Sequence, residues 1–474
     1  LSSEFNLDYY EKSRLATPLH FDCDPHELGM KMPKAEDFSV DDVLRLVGGN
    51  RMIEVVEVSG QTSVKMSLQE FVDYYKTPKG QRETLYNVLS LEFSNTEMED
   101  IIKSPTLVRQ IDWVDNHWPD ALRQRYITFN KKGQYTPHHT YPKVQNYCLM
   151  SVERCYTDFH VDFGGTSVWY HVLKGQKIFW LIEPSLTNIR LYEEFVRNPE
   201  QTGFFGNVVD KCARIVLNPG TTTIIPSGWI HAVYTPSDSL VFGGNFLHSL
   251  RSEMQIQVYL SENRINITKK FRFPYIEELM LYVIADVVLR CTGRRYVRPA
   301  RVDKARFDFQ FRISVVNVIA MHAENTLLYN TAAAAVSVSQ ETEKSDSNTE
   351  EGGAGAEEKN GEKKSSGQND VAPHTINPTI FYHEASVRCL YFLINPIGEE
   401  PPIEFNQAEL DRISHLLLPE YERLCEYLRK KRLLDVSEGI TQPASLLKCF
   451  HCILEKRREQ LFPNAKIICS WWRV

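Results

Sequence analysis

The composition is that of a folded protein with more than one domain. At 474 residues the chain is long enough for about two to four domains. Hydrophobic residues make up 42%, aromatic residues 11% and charged residues 24%, shares that exclude a disordered or a fibrous chain. The net charge is −7, and residues 341–370 hold nine acidic residues against four lysines, a local charge of −5. The remainder is nearly balanced, which argues against binding driven by bulk charge.

The ten cysteines are scattered along the chain, which is typical of reduced intracellular proteins. Cys449 and Cys452 form a close pair in an apolar helical pattern, and no second pair completes a zinc site, so we interpret both as core residues. The longest apolar stretch, near residues 280–289, is interrupted by Asp286 and is too short to cross a bilayer. We therefore expect an intracellular protein with no membrane partner.

The N-terminal segment, residues 1–95, has the pattern of an α/β elaboration. A helix start capped by Ser39 follows several turn signals. Residues 52–58 are then predicted as a strand and residues 68–75 as a helix.

Residues 96–264 form the predicted catalytic domain. From about residue 147 to residue 260, short runs rich in Val, Ile, Phe, Trp and Tyr are separated by glycine and proline, which is typical of an all-β unit. A barrel or sandwich of strands is the expected outcome. The predicted strands include residues 177–182, 214–217, 221–226, 240–243 and 254–260.

The pattern turns helical after residue 264. A helical extension covers residues 265–330, and residues 331–378 cannot bury enough apolar surface to fold, which predicts a disordered acidic linker. A C-terminal helical segment, residues 379–474, is expected to pack back on the core. Its predicted helices are residues 385–393, 409–431 and 444–460.

A basic run lies between Arg290 and Arg306. It consists of Arg290, Arg294, Arg295, Arg298, Arg301, Lys304 and Arg306. Such a run is suited to contact the phosphates of DNA. A solvated helix and loop surface is an equally good interpretation.

Two side chains of one predicted strand could hold a metal ion. His160 and Asp162 are two residues apart, so on a strand both side chains leave the same face. The pattern alone is weak, because a chain with 14 histidines contains such a pair by chance. His20 and Asp22 are that chance copy: they lie among turn-forming residues, and we interpret them as a surface loop.

His231 completes the set around His160 and Asp162. Two histidines and one carboxylate on one face of an octahedral ion leave three positions open for a bidentate co-substrate and dioxygen. A structural zinc site would instead be closed. Lys177 begins an otherwise apolar run, and a buried lysine without a charged partner is costly, so it is suited to bind an anionic co-substrate. A lysine at a strand end facing water is the alternative.

The motifs around these residues resemble the Jumonji C histone lysine demethylases, in particular the lysine demethylase 2 and 7 subfamilies. The resemblance covers roughly residues 28–280. It is carried by residues 29–33, 85–94, 147–152, 158–171, 226–236 and 242–249. It implies a double-stranded β-helix of the jelly-roll or cupin type, iron(II) and 2-oxoglutarate as metal and co-substrate, dioxygen as oxidant, and a nuclear protein that acts on histone H3.

The resemblance also implies a role for each site residue. Iron is bound by His160, Asp162 and His231. 2-Oxoglutarate is held by Thr157 and Lys177, with Tyr170 and Asn87 assisting, and Asn245 lies beside the methyl-lysine. Thr157 is three residues before His160 and so on the opposite face of a regular strand, which means that its role requires a bulge. Hydroxylation of the N-methyl group then leads to release of formaldehyde.

The motifs divide between the two subfamilies. Residues 85–88 and 234–242 are similar to the lysine demethylase 2 group, whose substrate is mono- or dimethylated lysine 36 of histone H3. More motifs favour the lysine demethylase 7 group, which acts on lysines 9 and 27; they are residues 71–75, 171–175, 204–206, 209–212 and 271–274. A protein hydroxylase on the same scaffold and a non-catalytic chromatin-binding module remain as alternatives.

Overall fold

A computed structural model of the chain describes residues 2–123, 126–129, 135–138, 141–198, 203–298, 403–431 and 439–463. The strands are β1 (Leu19–Phe21), β2 (Met52–Glu57), β3 (Thr62–Ser67), β4 (Tyr86–Glu92), β5 (Tyr126–Phe129), β6 (Tyr135–His138), β7 (Tyr147–Ser151), β8 (Tyr156–His160), β9 (Ser167–Ile182), β10 (Ala213–Leu217), β11 (Thr222–Ile225) and β12 (Ile230–Phe246). The helices are α1 (Leu7–Ser13), α2 (Val40–Val47), α3 (Leu68–Lys76), α4 (Met98–Ile101), α5 (Thr106–Ile111), α6 (Trp113–His117), α7 (Asp120–Arg123), α8 (Leu186–Arg197), α9 (Ser252–Arg264), α10 (Ile276–Thr292), α11 (Gln407–Asp411), α12 (Leu417–Arg429) and α13 (Pro443–Leu461).

The core is a ten-stranded antiparallel sheet with the order β1-β11-β9-β12-β7-β4-β2-β3, to which β10 is added on β9 and β8 on β12. The long strands β9 and β12 pair with each other, and each changes its other partner halfway. β9 pairs first with β11 and then with β10, while β12 pairs first with β8 and then with β7. The sheet therefore closes on itself as a jelly-roll, cupin-like core, which confirms the predicted fold class.

Gly175 lies where β9 changes partner. Its φ is +77°, and an added Cβ would lie 2.2 Å from the carbonyl oxygen of Asp238 and 2.7 Å from the Cα of Ser239. A side chain at this position would meet backbone atoms, so glycine is required. At the same level β12 shifts register between Tyr234 and Val241.

The N-terminal elements extend this sheet and agree with the predictions. α2 begins at a capping box in which the Asp42 carboxylate accepts a hydrogen bond from the Ser39 amide at 2.9 Å. The predicted strand at residues 52–58 is β2, and the predicted helix at residues 68–75 is α3. Since β2 pairs with β4, this segment forms one wall of the core.

The strand predicted at residues 254–260 is wrong, because these residues lie in helix α9. The buried face of α9 includes Gln255, Val258 and Glu262, which are spaced by three and four residues. Two of these buried residues are polar. The alternation of apolar residues along the segment therefore indicated the period of a strand instead of the period of a helix. The amide nitrogen of Gln255 donates to the carbonyl of His248 at 2.9 Å.

The surface loop predicted around His20 is also wrong. His20 lies in β1, where it pairs with Thr223 of β11, and its Nδ1 is 3.2 Å from the Thr223 hydroxyl. This strand has only three residues. It exists because β11 offers it a hydrogen-bonding edge, a long-range contact that local turn signals do not reveal.

The C-terminal helices share one apolar core with α10. Cys449 is buried in this core, as predicted, whereas Cys452 is only partly buried. The helix predicted at residues 409–431 is divided into α11 and α12. At the break, Arg457 donates to the carbonyls of Ile413 at 2.8 Å and Asp411 at 3.1 Å, which satisfies groups that a continuous helix would have paired.

Helix α12 also contacts the β core region. The Glu420 carboxylate accepts the amide of Glu253 at the start of α9, at 2.8 Å, which agrees with the expectation that the terminal helices pack back. Within the described ranges, no helix is long and apolar enough to span a membrane. The predicted linker at residues 331–378 and helix at residues 385–393 lie outside the described residues, and the domain boundaries stay predictions.

Candidate metal and co-substrate site

The three predicted metal ligands come together at one end of the sheet. His160 is the last residue of β8 and pairs with His231 near the start of β12, and Asp162 follows two residues later. The two imidazole ring centroids are 4.2 Å apart, and Nε2 of His231 is 3.7 Å from Oδ2 of Asp162. One ligand atom from each residue lies within 4.8 Å of the others, the spacing that a single ion requires.

Both histidines are held in the tautomer that a metal needs. Nδ1 of His160 is 2.8 Å from the carbonyl of Asp158, and Nδ1 of His231 is 3.0 Å from the carbonyl of Trp229. A carbonyl only accepts, so Nδ1 carries the proton and Nε2 keeps its lone pair for the ion. Burial, with His160 close by, lowers the pKa of His231 to about 4, so this imidazole is neutral at pH 7.

The backbone turn after Asp162 passes close to helix α9. Gly165 has φ +65°, and an added Cβ would lie 2.9 Å from the Cα of Gln255 and 3.0 Å from the Cβ of Val258. The Gly164 amide donates to the Glu262 carboxylate at 2.7 Å. The glycine pair therefore allows a close approach of the backbone to α9, and α9 fixes the turn that follows Asp162.

The second copy of the motif forms no such cluster. His20 and Asp22 are both exposed, and in the described part of the chain neither belongs to a group of three residues that could hold a metal. The strand-rich setting and a second histidine distinguish the His160 copy, as the sequence argument required.

Lys177 is buried, with 2% of its surface exposed, and its ammonium donates to two hydroxyls. These are the Ser151 hydroxyl at 2.6 Å and the Thr235 hydroxyl at 2.8 Å. Burial lowers the pKa of Lys177 to about 7, because an ammonium loses its hydration there. None of the ion pairs among the described residues involves Lys177, so the site is suited to an anionic ligand.

Thr157 and Asn87 lie on either side of this network. Across β8 and β12 the register moves from the pair of His160 and His231 to the pair of Thr157 and Val233, so β8 has one extra residue. The bulge required for Thr157 is therefore present. Asn87 lies behind the cavity wall, where it accepts from the Ser151 hydroxyl at 2.7 Å and donates to the Thr157 hydroxyl at 3.4 Å.

An inner cavity of about 210 Å³ connects these groups. Seven of the eight predicted site residues line it, and Asn87 is the exception; they are Thr157, His160, Asp162, Tyr170, Lys177, His231 and Asn245. Burial raises the pKa of Tyr170 far above its usual range, so its phenol keeps its proton. The Asn245 amide donates to the Thr166 hydroxyl at 2.8 Å, which fixes its orientation.

Sequence reasoning missed Ser151 and Thr235. Both lie in segments that carried the family resemblance, yet a buried hydroxyl gives no signal in apolar periodicity. Only the pairing of the strands shows that these hydroxyls surround the Lys177 ammonium.

The residues present fit the implied metal and co-substrate. Two imidazoles and one carboxylate on one side of an open cavity are the donor set of an iron(II) site with exchangeable positions. A buried ammonium in the same cavity complements the carboxylate of a dicarboxylic acid.

A larger outer cavity of about 820 Å³ adjoins the inner one. The two cavities share six lining residues: Leu89, Ser90, Tyr147, His160, Asp162 and Phe163. The outer cavity reaches strand β2 on one side and the residues between α9 and α10 on the other. The outer cavity is therefore connected to the metal ligands through the shared lining residues.

This fold and site define the class of the domain. Residues 147–246 match the family model described as "JmjC domain, hydroxylase". The chain thus contains a JmjC domain, which confirms the resemblance seen in the sequence motifs.

Known relatives of the chain are named as demethylases. It is 52% identical to JmjC domain-containing histone demethylation protein 1 of Caenorhabditis elegans, an alignment that covers 96% of this chain and 46% of the relative. It is 50% identical to lysine-specific demethylase 2B of Mus musculus over 62% of this chain and 22% of the relative. It is 48% identical to lysine-specific demethylase 7B of Danio rerio over 55% of this chain and 42% of the relative. The chain spans less than half of the length of each of these relatives.

The basic run is described only in part. Arg290 forms ion pairs with Asp286 at 3.0 Å and Glu409 at 3.2 Å, so its charge is already compensated. Arg301, Lys304 and Arg306 lie outside the described residues. Contact with DNA through residues 290–306 stays a prediction.

Proposed function

We propose that this chain is an iron(II) and 2-oxoglutarate dependent histone lysine demethylase, which removes methyl groups from mono- or dimethyl-lysine of histone H3 in the nucleus. The observation that carries the proposal is the joint presence, in one cavity, of an open triad and a buried, uncompensated ammonium. Burial of the polar groups of His231 and Lys177 is costly for the fold, which indicates that they serve a ligand. Together they match a metal with exchangeable positions and an anionic co-substrate.

Each residue has a defined part in this proposal. His160, Asp162 and His231 bind the iron, and Lys177 with Thr157 holds the distal carboxylate of 2-oxoglutarate. Iron and 2-oxoglutarate, when bound, supply the oxidation of the N-methyl carbon by dioxygen with formation of succinate and carbon dioxide. The hydroxymethyl amine so formed breaks down to formaldehyde and a lysine that carries one methyl group fewer.

The remaining predicted residues position these groups. Asn87 orients the hydroxyls of Ser151 and Thr157, and the Tyr170 phenol lines the co-substrate pocket. Asn245, fixed by Thr166, lies beside the methyl-lysine.

Lysines 9 and 27 of histone H3 are the favoured targets, because more motifs are similar to the lysine demethylase 7 group. Lysine 36 is the alternative. Overall identity gives no preference, since the values for the relatives 2B and 7B are 50% and 48%.

Mass spectrometry of methylated histone H3 peptides tests the reaction and the target together. The chain is incubated with iron(II), 2-oxoglutarate and ascorbate, and one peptide of a panel methylated at lysine 9, 27 or 36 should lose the mass of one CH₂ per methyl group. Formaldehyde should appear in equal amount. Succinate formed with an intact peptide mass would contradict the demethylase assignment, and a gain of one oxygen would indicate a protein hydroxylase.

A His160→Ala variant provides the matched control. It removes one metal ligand from the end of β8 and should reduce both succinate and formaldehyde to background. Equal turnover in this variant would exclude the triad as the site. Histone binding without any succinate, in the intact chain as well, would favour a non-catalytic chromatin-binding module.

A further inference from the structure

Glu54 is the carboxylate of the outer cavity that a partner can reach. Among the described residues that line this cavity, three carry carboxylates: Glu54, Asp162 and Glu262. Asp162 belongs to the triad. Glu262 accepts the Gly164 amide with one oxygen, and its other oxygen is buried. Glu54 lies on strand β2 with 42% of its side chain exposed.

The present partner of Glu54 is held weakly. The Lys270 ammonium is 3.5 Å from the Glu54 carboxylate, and 53% of the Lys270 side chain is exposed. An ion pair this exposed contributes little, because water screens it and both side chains lose freedom. The Lys270 ammonium also lies 4.4 Å from the ring centroid of Phe271, which is itself half exposed. A carboxylate and an aromatic face thus hold one exchangeable cation at the cavity wall.

We propose that Glu54 binds a cationic side chain of the substrate, an arginine or lysine that flanks the methyl-lysine, and that Lys270 occupies this position until the substrate displaces it. The inference rests on the proposed function, because it assumes a polypeptide substrate in the outer cavity. An arginine is the better competitor, since its planar guanidinium can bind a carboxylate through two hydrogen bonds and stack on the Phe271 ring.

The other cations of the outer cavity restrict where a cationic side chain of the substrate can bind. Lys143, Lys269 and Arg272 also line it, and Arg272 is engaged by the carbonyls of Ile267 at 2.7 Å and Glu262 at 3.1 Å. Positive groups repel a cationic side chain everywhere except beside a carboxylate. Glu54 therefore selects the register in which the substrate enters, and with it the lysine that reaches the metal.

Binding of labelled histone H3 peptides to the intact chain, followed by fluorescence anisotropy, tests the proposal. Two dimethylated peptides are compared, one with its natural flanking arginine and one with citrulline, which has the same shape without the charge. Glu54→Gln should weaken binding of the arginine peptide by roughly two- to fivefold and leave the citrulline peptide unchanged. Equal effects on the two peptides would overturn the pairing.

Lys270→Ala gives the opposite expectation. Removal of the competing ammonium should tighten binding of the arginine peptide and leave the citrulline peptide unchanged. Glu57→Gln is the matched control, because Glu57 ends the same strand. The Glu57 carboxylate is already engaged by the backbone, since it accepts from the amides of Ser59 at 3.0 Å and Gly60 at 2.9 Å. Weaker peptide binding in Lys270→Ala would overturn the proposal and indicate an anionic partner at this wall.

The binding assay separates this inference from the proposed function. It requires no turnover, so charge-specific coupling to Glu54 without formaldehyde release would reject the demethylase and keep the cation site. Formaldehyde release without such coupling would reject the cation site and keep the demethylase. The side chains of Glu54 and Lys270 are exposed, so Glu54→Gln and Lys270→Ala should keep the unfolding temperature of the parent chain.

Discussion

The two cavities each present a lysine, and the two lysines are held in opposite ways. Lys177 of the inner cavity is buried, and its hydrogen-bond partners among the described residues are two hydroxyls, at 2.6 and 2.8 Å. Lys270 of the outer cavity is half exposed and has a carboxylate partner at 3.5 Å. In the part of the chain that the structure describes, the buried cation thus has no anionic partner, whereas the exposed cation has one that it can release. Under the proposed function, co-substrate binding belongs to the inner cavity and selection of the polypeptide to the outer one.

The largest effect is expected from Lys177→Met, which keeps the length of the side chain and removes its charge. Loss of one partner of a buried charge pair costs about 2–5 kcal/mol, so the KM for 2-oxoglutarate should rise by roughly 30-fold to several thousand-fold. Steady-state kinetics at saturating peptide measures the KM for 2-oxoglutarate. The KM for the peptide should change little.

Lys174→Met is the control for this variant. Lys174 lies on the same strand, pairs with Leu240 of β12 and does not line the inner cavity. Its replacement should leave the KM for 2-oxoglutarate unchanged. A similar increase in both variants would mean that strand β9 is perturbed and that Lys177 has no special role.

The pH dependence of co-substrate binding should follow the protonation of Lys177. Burial lowers the pKa of Lys177 to about 7, so in the free protein the ammonium is present below pH 7 and is lost as the pH rises above it. Binding of the dicarboxylate requires the charged form. The KM for 2-oxoglutarate should therefore rise above pH 7, by up to about tenfold per pH unit.

A Lys177→Arg variant isolates this effect from the titration of other groups. Arginine keeps its proton throughout the accessible range, so this part of the pH dependence should disappear even if the longer side chain binds less tightly. Kinetics between pH 6 and pH 9 compares the two proteins. The same slope in both would assign the effect to another group.

The inner cavity was predicted from sequence far better than its surroundings. Residue type, spacing, the strand-rich setting and the family resemblance together singled out His160, Asp162, His231 and Lys177, which line one cavity in the structure. The bulge at Thr157 was predicted by combining the role that the resemblance implies with the geometry of a regular strand, and it is present in β8.

The features that were not predicted from the sequence share one cause. Helix α9 buries Gln255 and Glu262, strand β1 depends on the edge of β11, and the hydroxyls of Ser151 and Thr235 reach Lys177 only after the strands have paired. Each depends on contacts between residues distant in the sequence, and such contacts leave no local pattern. The Glu54 and Lys270 pair of the outer cavity joins elements more than 200 residues apart and belongs to the same class.

Smaller effects are expected when the hydroxyl partners of Lys177 are removed one at a time. A hydrogen bond to a charged group contributes about 1.5–3 kcal/mol, so Ser151→Ala should raise the KM for 2-oxoglutarate by roughly tenfold to a hundredfold. Thr235→Val, which keeps the shape of the side chain, should act in the same direction. A change in only the KM for the peptide would contradict the assignment of co-substrate binding to the inner cavity.

The smallest effect is expected from salt, and it compares the two cavities within one protein. Raising the salt concentration from about 0.01 M to about 1 M shortens the screening length from about 30 Å to about 3 Å, which weakens exposed charge pairs and affects buried ones much less. Binding of the arginine peptide should weaken by roughly two- to fivefold, the scale of one exposed ion pair. The KM for 2-oxoglutarate should change less. In Glu54→Gln the salt dependence of peptide binding should shrink towards that of the citrulline peptide, because the pair that salt screens is absent. Equal salt dependence for peptide and co-substrate would mean that the two lysines do not work in the opposite ways that their burial indicates.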